Sequence, residues 1–324
     1  MQRLISFPLD TIRVSEYGNW QAIREELEWL NCDGLEGIWA GTDFPDDLPS
    51  SLVVGYHLTF FPDWLDFYRE DKEAIIRKFG CVETAKRFYG GWGPDTLLEL
   101  YRADLERAVR LGAEYVVFHM SDVSIEEGYT YSWLHSNQEI IDSAAEVINI
   151  LLDGRDWPFD FLMENQWWPG FTFLEPKETA FMLERVHYRR KGILLDTGHL
   201  MNTNVKLRSQ AEGAAYIMEL VEKHGGLAKE IRAVHLHQSL SGAYVESHTG
   251  FLPELPAEYI ERYGVSYAHI QRIDRHLPWS DNAILPVLER IAPDYITHEL
   301  SCANRSQRRD MVRRQGNTLL MGGM

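Results

Sequence analysis

The chain is poor in cysteine, in net positive charge and in long apolar runs, and each shortage removes a class of protein. Only three cysteines occur in 324 residues, Cys32, Cys81 and Cys302, far apart and without C-x-x-C spacing. That argues against a disulfide framework and against a thiolate zinc site. Lys and Arg number 32 against 49 Asp and Glu, a formal charge of -17. Such a surface repels polyanions, so nucleic acid and anionic membranes are disfavoured partners. No apolar run approaches the roughly 18 residues of a membrane helix. The opening stretch Met1–Asp10 has a single Arg and little apolar length, too little for a secretory signal, so a soluble cytoplasmic chain is expected. The glycine-rich dinucleotide and phosphate loops, the G-x-S-x-G nucleophile turn and the H-E-x-x-H zinc motif are also missing.

What is present is a recurring polar stop at the end of short apolar runs. Six runs end this way: Val53–His57, Tyr115–His119, Phe159–Glu164, Gly192–Asp196 (with His199 just beyond), Ile231–His235 (with His237 two further on) and Tyr295–Glu299. A seventh, Gly34–Trp39, carries Glu36. Runs that are apolar until their last residue read as buried parallel strands feeding a site. Helical spacing fills the intervals, as in Ile23, Leu27 and Leu30, or Leu97, Leu98, Tyr101, Leu105 and Ala108 behind Pro94. With a first strand near Leu4–Pro8 the count reaches eight strands, the number of a single-domain (β/α)8 TIM barrel over residues 1–324. A Pro/Asp-rich loop is expected around Phe44–Pro49, and a long irregular insertion, Ser239–Ile273, after strand seven. The insertion reads equally as a lid or as a packing excursion.

Glu164, Asp196 and Glu299 each close a buried run. Any one could cap a helix or meet an arginine. Three converging at one barrel mouth would repel one another without a cation. His57, His119 and His235 stand at equivalent strand ends, and mixed nitrogen and oxygen donors suit Zn, Mn, Fe or Co. Asp196-Thr-Gly-His199 and Asp274-Arg-His276 add further donors. The expected cofactor is a divalent transition metal, one to three ions. Ten tryptophans and fifteen tyrosines suggest an aromatic pocket. Trp167, Trp168 and Trp133 are candidates to stack on a substrate ring.

These residues resemble the xylose isomerase-like barrels, a superfamily of sugar isomerases and epimerases and of endonuclease IV-type apurinic endonucleases. The resemblance implies a single metal on Glu164, Asp196, His235 and Glu299 in the sugar-enzyme branch. In the endonuclease branch it implies three metals on His57, His119, Glu164, Asp196, His199, His235, Asp274, His276 and Glu299. Two departures stand out. His235-Leu-His-Gln238 replaces the endonuclease His-Leu-Asn-Asp, losing an acid and adding His237; Asn165-Gln-Trp-Trp-Pro-Gly170 lacks the second glutamate of ketose 3-epimerases. The first expectation is a metal-dependent isomerase or epimerase of a sugar-like small molecule. Glu164 and Glu299 would transfer the proton of an enediolate mechanism, while His199, His237, Trp167 and Trp168 would contact substrate. The second is a multi-metal phosphoester hydrolase, on a small phosphorylated substrate rather than DNA. The Arg-rich C-terminal segment (Arg305, Arg308, Arg309, Arg313, Arg314) reads as a solvated helix face. Oligomeric state stays open.

Overall fold

A computed structural model describes residues 1–41 and 48–321. Most of the expected Pro/Asp-rich loop, Phe44 to Asp47, lies outside these residues. Eight parallel strands close into one barrel in sequence order: β1 (Gln2–Pro8), β2 (Gly34–Ile38), β3 (Val53–His57), β4 (Tyr115–His119), β5 (Asp160–Glu164), β6 (Lys191–Asp196), β7 (Ile231–Leu236) and β8 (Tyr295–His298). Helices lie between consecutive strands, the arrangement of a (β/α)8 barrel.

Local chemistry sets the boundaries. The helix Pro94–Leu111 starts on a proline at its first position and ends on Gly112 at φ 70°, a left-handed cap that an L side chain rarely adopts. Ser124 and Glu127 form a reciprocal capping box on the helix Ile125–Thr130, as Ser209 and Glu212 do for Gln210–His224. Asp196 ends β6 and caps the next helix, Thr197–Asn202, accepting from the His199 N–H through Oδ1 at 2.6 Å. One carboxylate thereby holds His199 a single turn beyond the strand end.

Side chains on a strand alternate between faces, and that period aims the polar residues inward. Tyr115 and Val117 belong to the barrel's inner cluster with Leu162, Leu194 and Ala233. Two residues on from Val117, Leu162, Leu194 and Ala233 stand His119, Glu164, Asp196 and His235. The register pairs His119 with Glu164 and Asp196 with His235, so donors from neighbouring strands share one level. Beneath them, Gly55 leaves room for the Tyr115 ring. A β-carbon at that position would lie 2.3 Å from a ring carbon.

The segment 239–273 is not irregular. It holds two helices, Gly242–His248 and Tyr259–Ile273. The second packs against the helix Ile125–Thr130, with His269 stacked on Tyr129 at 4.1 Å. The C-terminal arginines are also more engaged than a solvated face. Arg305 pairs with buried Glu26 at 2.8 Å, Arg308 is buried and donates to Tyr17, and Arg309 stacks 3.8 Å above Trp29. The helix Arg305–Met321 thus uses its arginines to pack on Trp20–Leu30. Among the described residues no helix is long and apolar enough to cross a membrane.

Candidate metal centre

The strand ends and the loops after them bring ten donor residues into three clusters, within each of which the ligand atoms lie within 4.8 Å of one another. The first is His57, His119 and Glu164. The second is Glu164, Asp196, His235 and Glu299. The third is His199, His237, Asp274 and His276. All nine positions carried over from the endonuclease branch fall into one of these clusters, and His237 joins them.

Glu164 belongs to two clusters, and its carboxylate is split between them. Oε2 lies 2.9 Å from His119 Nε2 and 3.3 Å from His57 Nε2. Oε1 faces the other way, 3.4 Å from His235 Nδ1 and 3.2 Å from His199 Nδ1. Burial alone would raise its pKa; the His119 and His235 charges facing it hold it well below the usual carboxylate range. Asp196 is held down in the same way by His199 and His237. Asp274, despite its burial, sits at about 2 because His276 and His199 flank it.

Side chains behind the clusters fix which histidine nitrogen faces inward. His57 donates through Nδ1 to the Leu58 carbonyl at 2.8 Å. His235 donates through Nε2 to Glu36 at 2.8 Å. Glu36, fully buried within the barrel, also accepts from Tyr115 (2.5 Å) and Thr297 (3.1 Å). Metal-binding imidazoles are typically oriented by such carboxylate and carbonyl partners. Glu36 was visible in the sequence only as a charge inside an apolar run. Its role follows from the closure of the barrel, which sets β2 across from β7.

Several polar atoms facing the clusters are buried without a hydrogen-bond partner: both Glu164 oxygens, His235 Nδ1, His237 Nδ1 and Glu299 Oε2. Orphaned buried acceptors are costly, and acceptors of this kind crowded together are what a divalent cation satisfies. The donor set therefore fits a nitrogen- and oxygen-ligated transition metal.

Above the centre lies a cleft of about 710 Å³. His57, His119, His199, Asp274, His276 and Glu299 reach its floor, and Phe60, Phe61, Trp167 and Trp168 form its apolar wall. Tyr263, Tyr267 and Ile270 from the helix Tyr259–Ile273 line the opposite side. Trp133 is 40% exposed and does not line the cleft. Glu246, on the inserted segment, pairs at the surface with Arg208.

A closed parallel barrel with histidines and carboxylates at the carboxyl ends of its strands is the architecture of a TIM-barrel protein with a site at the strand C-termini. Residues 52–310 match the xylose isomerase-like TIM barrel family, and the chain belongs to it. No curated protein matches the sequence. Among solved structures, a D-tagatose 3-epimerase-like protein superposes with TM-score 0.55 at 18% identity, covering 100% of this chain and 98% of that one. Endonuclease IV from Thermus thermophilus gives 0.52 at 14%, covering 99% and 100%. The AsfvAP:AG structure gives 0.58 at 11%, covering 100% and 99%. At these identities the likeness establishes the fold.

Proposed function

We propose that this chain is a single-domain, divalent-metal-dependent enzyme that hydrolyses a phosphoester bond in a small molecule, using more than one ion of the Zn, Mn, Fe or Co class. The observation that carries this reading is the split carboxylate of Glu164. Its two buried, unpartnered oxygens face two separate donor clusters, the disposition of a ligand shared by neighbouring cations. Two cations so placed would supply a nucleophile from water and neutralise the departing oxygen of the ester.

The chain's own residues would divide the remaining work. His57 and His119 hold one side of Glu164; Asp196, His235 and Glu299 hold the other. Glu36 keeps the His235 ring in the tautomer that points Nδ1 at the centre. His119 packs its ring on Phe60 at 4.6 Å, so an apolar face backs the first cluster on the cleft side. A cleft of about 710 Å³ is of small-molecule size, with Trp167 and Trp168 as the surface for a substrate ring. The charge of -17 argues against duplex DNA as the target.

A second reading, sugar or polyol isomerisation, is favoured by one observation. Glu164 and Glu299 both approach His235 Nδ1, at 3.4 and 2.9 Å. That would place two carboxylates beside one cation, as proton transfer to and from an enediolate requires. The assay is incubation of metal-loaded protein in deuterium oxide with a panel of aldoses and ketoses, beside a panel of small phosphomono- and phosphodiesters. Phosphoester turnover without deuterium entering any sugar supports hydrolysis. Deuterium uptake at the carbon next to a carbonyl, without phosphoester turnover, replaces it with isomerisation.

A further inference from the structure

The third cluster contains one donor more than the endonuclease pattern carries, and that donor is the least accessible of the four. His237 is 0% exposed. It lies just past β7 and replaces an asparagine of that pattern, so the extra imidazole is a property of this chain.

Each histidine of the cluster sets one ring nitrogen against an oxygen and turns the other toward the remaining donors. His237 Nε2 donates to Asp196 Oδ2 at 2.8 Å, leaving Nδ1 buried and unpartnered. His199 Nδ1 meets the Asn165 carbonyl at 3.0 Å, the Gln166 amide at 3.1 Å and Glu164 Oε1 at 3.2 Å, while Nε2 lies beside Asp274 Oδ2 at 3.2 Å. The His276 Nδ1 lies 3.3 Å from the Asp274 carbonyl, leaving Nε2 3.2 Å from the same Oδ2. All three rings thus hold one nitrogen on an oxygen and present the other to a cluster whose ligand atoms lie within 4.8 Å of one another, the habit of metal-bound histidine. The His237 and His276 rings stack at 4.2 Å, and the His237 ring is pressed against Gly198, where a β-carbon would lie 2.0 Å from Cε1. The ring has one position available.

We infer that His199, His237, Asp274 and His276 form a closed four-ligand cation site of zinc type, which holds its ion without an exchangeable position. Three imidazoles and one carboxylate would supply the four donors of structural rather than catalytic zinc. With four protein donors the site would leave substrate no coordination position on the ion, although His199, Asp274 and His276 line the cleft. It fixes the floor of the cleft and, through the His237–Asp196 hydrogen bond, the orientation of a second-cluster ligand. Exchange would belong to the first cluster, which has only three protein donors. This inference rests on the multi-ion reading above, but its test reads ligation and not turnover.

The test is a cobalt(II) titration of metal-stripped protein, followed by visible absorption and by bound cobalt per chain. Wild type is expected to show the intense bands of four-coordinate cobalt. At least one such band should stay unchanged when azide or thiocyanate is added, because no open position exists for the anion. His237→Gln is expected to bind one cobalt fewer per chain and to lose part of the anion-insensitive absorption, the second cluster with its four donors keeping the rest. Perturbation of every wild-type band by the anions would overturn the inference, and this arm needs no variant to fold. Retention of the full wild-type cobalt count and of the whole anion-insensitive absorption in folded His237→Gln would overturn it as well. Failure to hydrolyse phosphoesters, with these spectra as expected, would refute the proposed function alone.

Discussion

Replacing Lys78 with methionine tests the packing that holds one wall of the cleft. Lys78 Nζ lies 2.6 Å from Asp63 and 2.7 Å from Asp66, and all three side chains are 7–8% exposed. Asp122 shares the pocket, its pKa pushed up to about 7 by burial and by Asp63. Its carboxylate receives the Trp64 and Leu65 N–H groups, tying the loop after β3 to the loop after β4, both of which line the cleft. Methionine keeps the length and apolar stem of lysine but removes the ammonium shared by Asp63 and Asp66, leaving His135, 3.2 Å from Asp66, as the remaining partner on that side. Breaking a buried pair in this way costs about 3–5 kcal/mol, because the abandoned charges stay buried. With an unfolding entropy of about 2.1 cal/mol/K per residue, a chain of 324 residues loses roughly 4–7 °C in Tm. Differential scanning calorimetry at pH 7.5 measures the shift. The loss should shrink as pH falls, since protonated carboxylates no longer need the cation, and Asp63→Asn in the Lys78→Met background should recover part of it. A Lys78→Met protein within 1 °C of wild type at neutral pH would refute the assignment.

Other consequences are equally measurable. Gln315 donates to His298 Nδ1 (2.8 Å) and to the Leu236 carbonyl while accepting from the Trp279 N–H, which requires a neutral imidazole. Burial, with Arg3 nearby, lowers the His298 pKa to about 3. A depressed histidine contributes stability that is fully present above its unfolded pKa of about 6.5 and is lost as pH falls toward 3. The stability gap between wild type and His298→Asn should therefore narrow by about 1.4 kcal/mol per pH unit below 6.5, read by urea unfolding; a pH-independent gap contradicts this. Gly198→Ala, whose new methyl meets the His237 ring, should cost about 1–3 kcal/mol and one bound ion per chain. Chelation should lower Tm by about 6 °C for each ion present at a thousandfold excess over its Kd, the equivalent of about 4 kcal/mol; an unchanged Tm with and without added zinc would count against native-state binding.

The strand ends were legible because barrel strands buried on both faces are apolar to the last residue, so a terminal His119, Glu164 or Asp196 is conspicuous. Glu36 was seen but its task was not, since its partner His235 is distant in sequence and meets it only across the closed barrel. The inserted helix Tyr259–Ile273 escaped because its buried face includes Ser266 and His269, which blur the apolar stripe. His237 stands out in the sequence only as a histidine two residues past His235, which does not show its partners. Only the neighbouring loops show what closes around it. The arginines of the last helix read as solvated because their aromatic partners, Tyr17 and Trp29, lie nearly the whole chain away.

Three buried donor clusters at the barrel mouth should each hold a cation. Elemental analysis of the purified, zinc-reconstituted protein counts them. Three ions per chain are expected, falling to one in Glu164→Ala, which breaks both clusters that share this residue. No bound metal, or a single ion lost in Asp196→Ala and kept in Asp274→Ala, would contradict the three-cluster account, the second result pointing to the mononuclear isomerase arrangement.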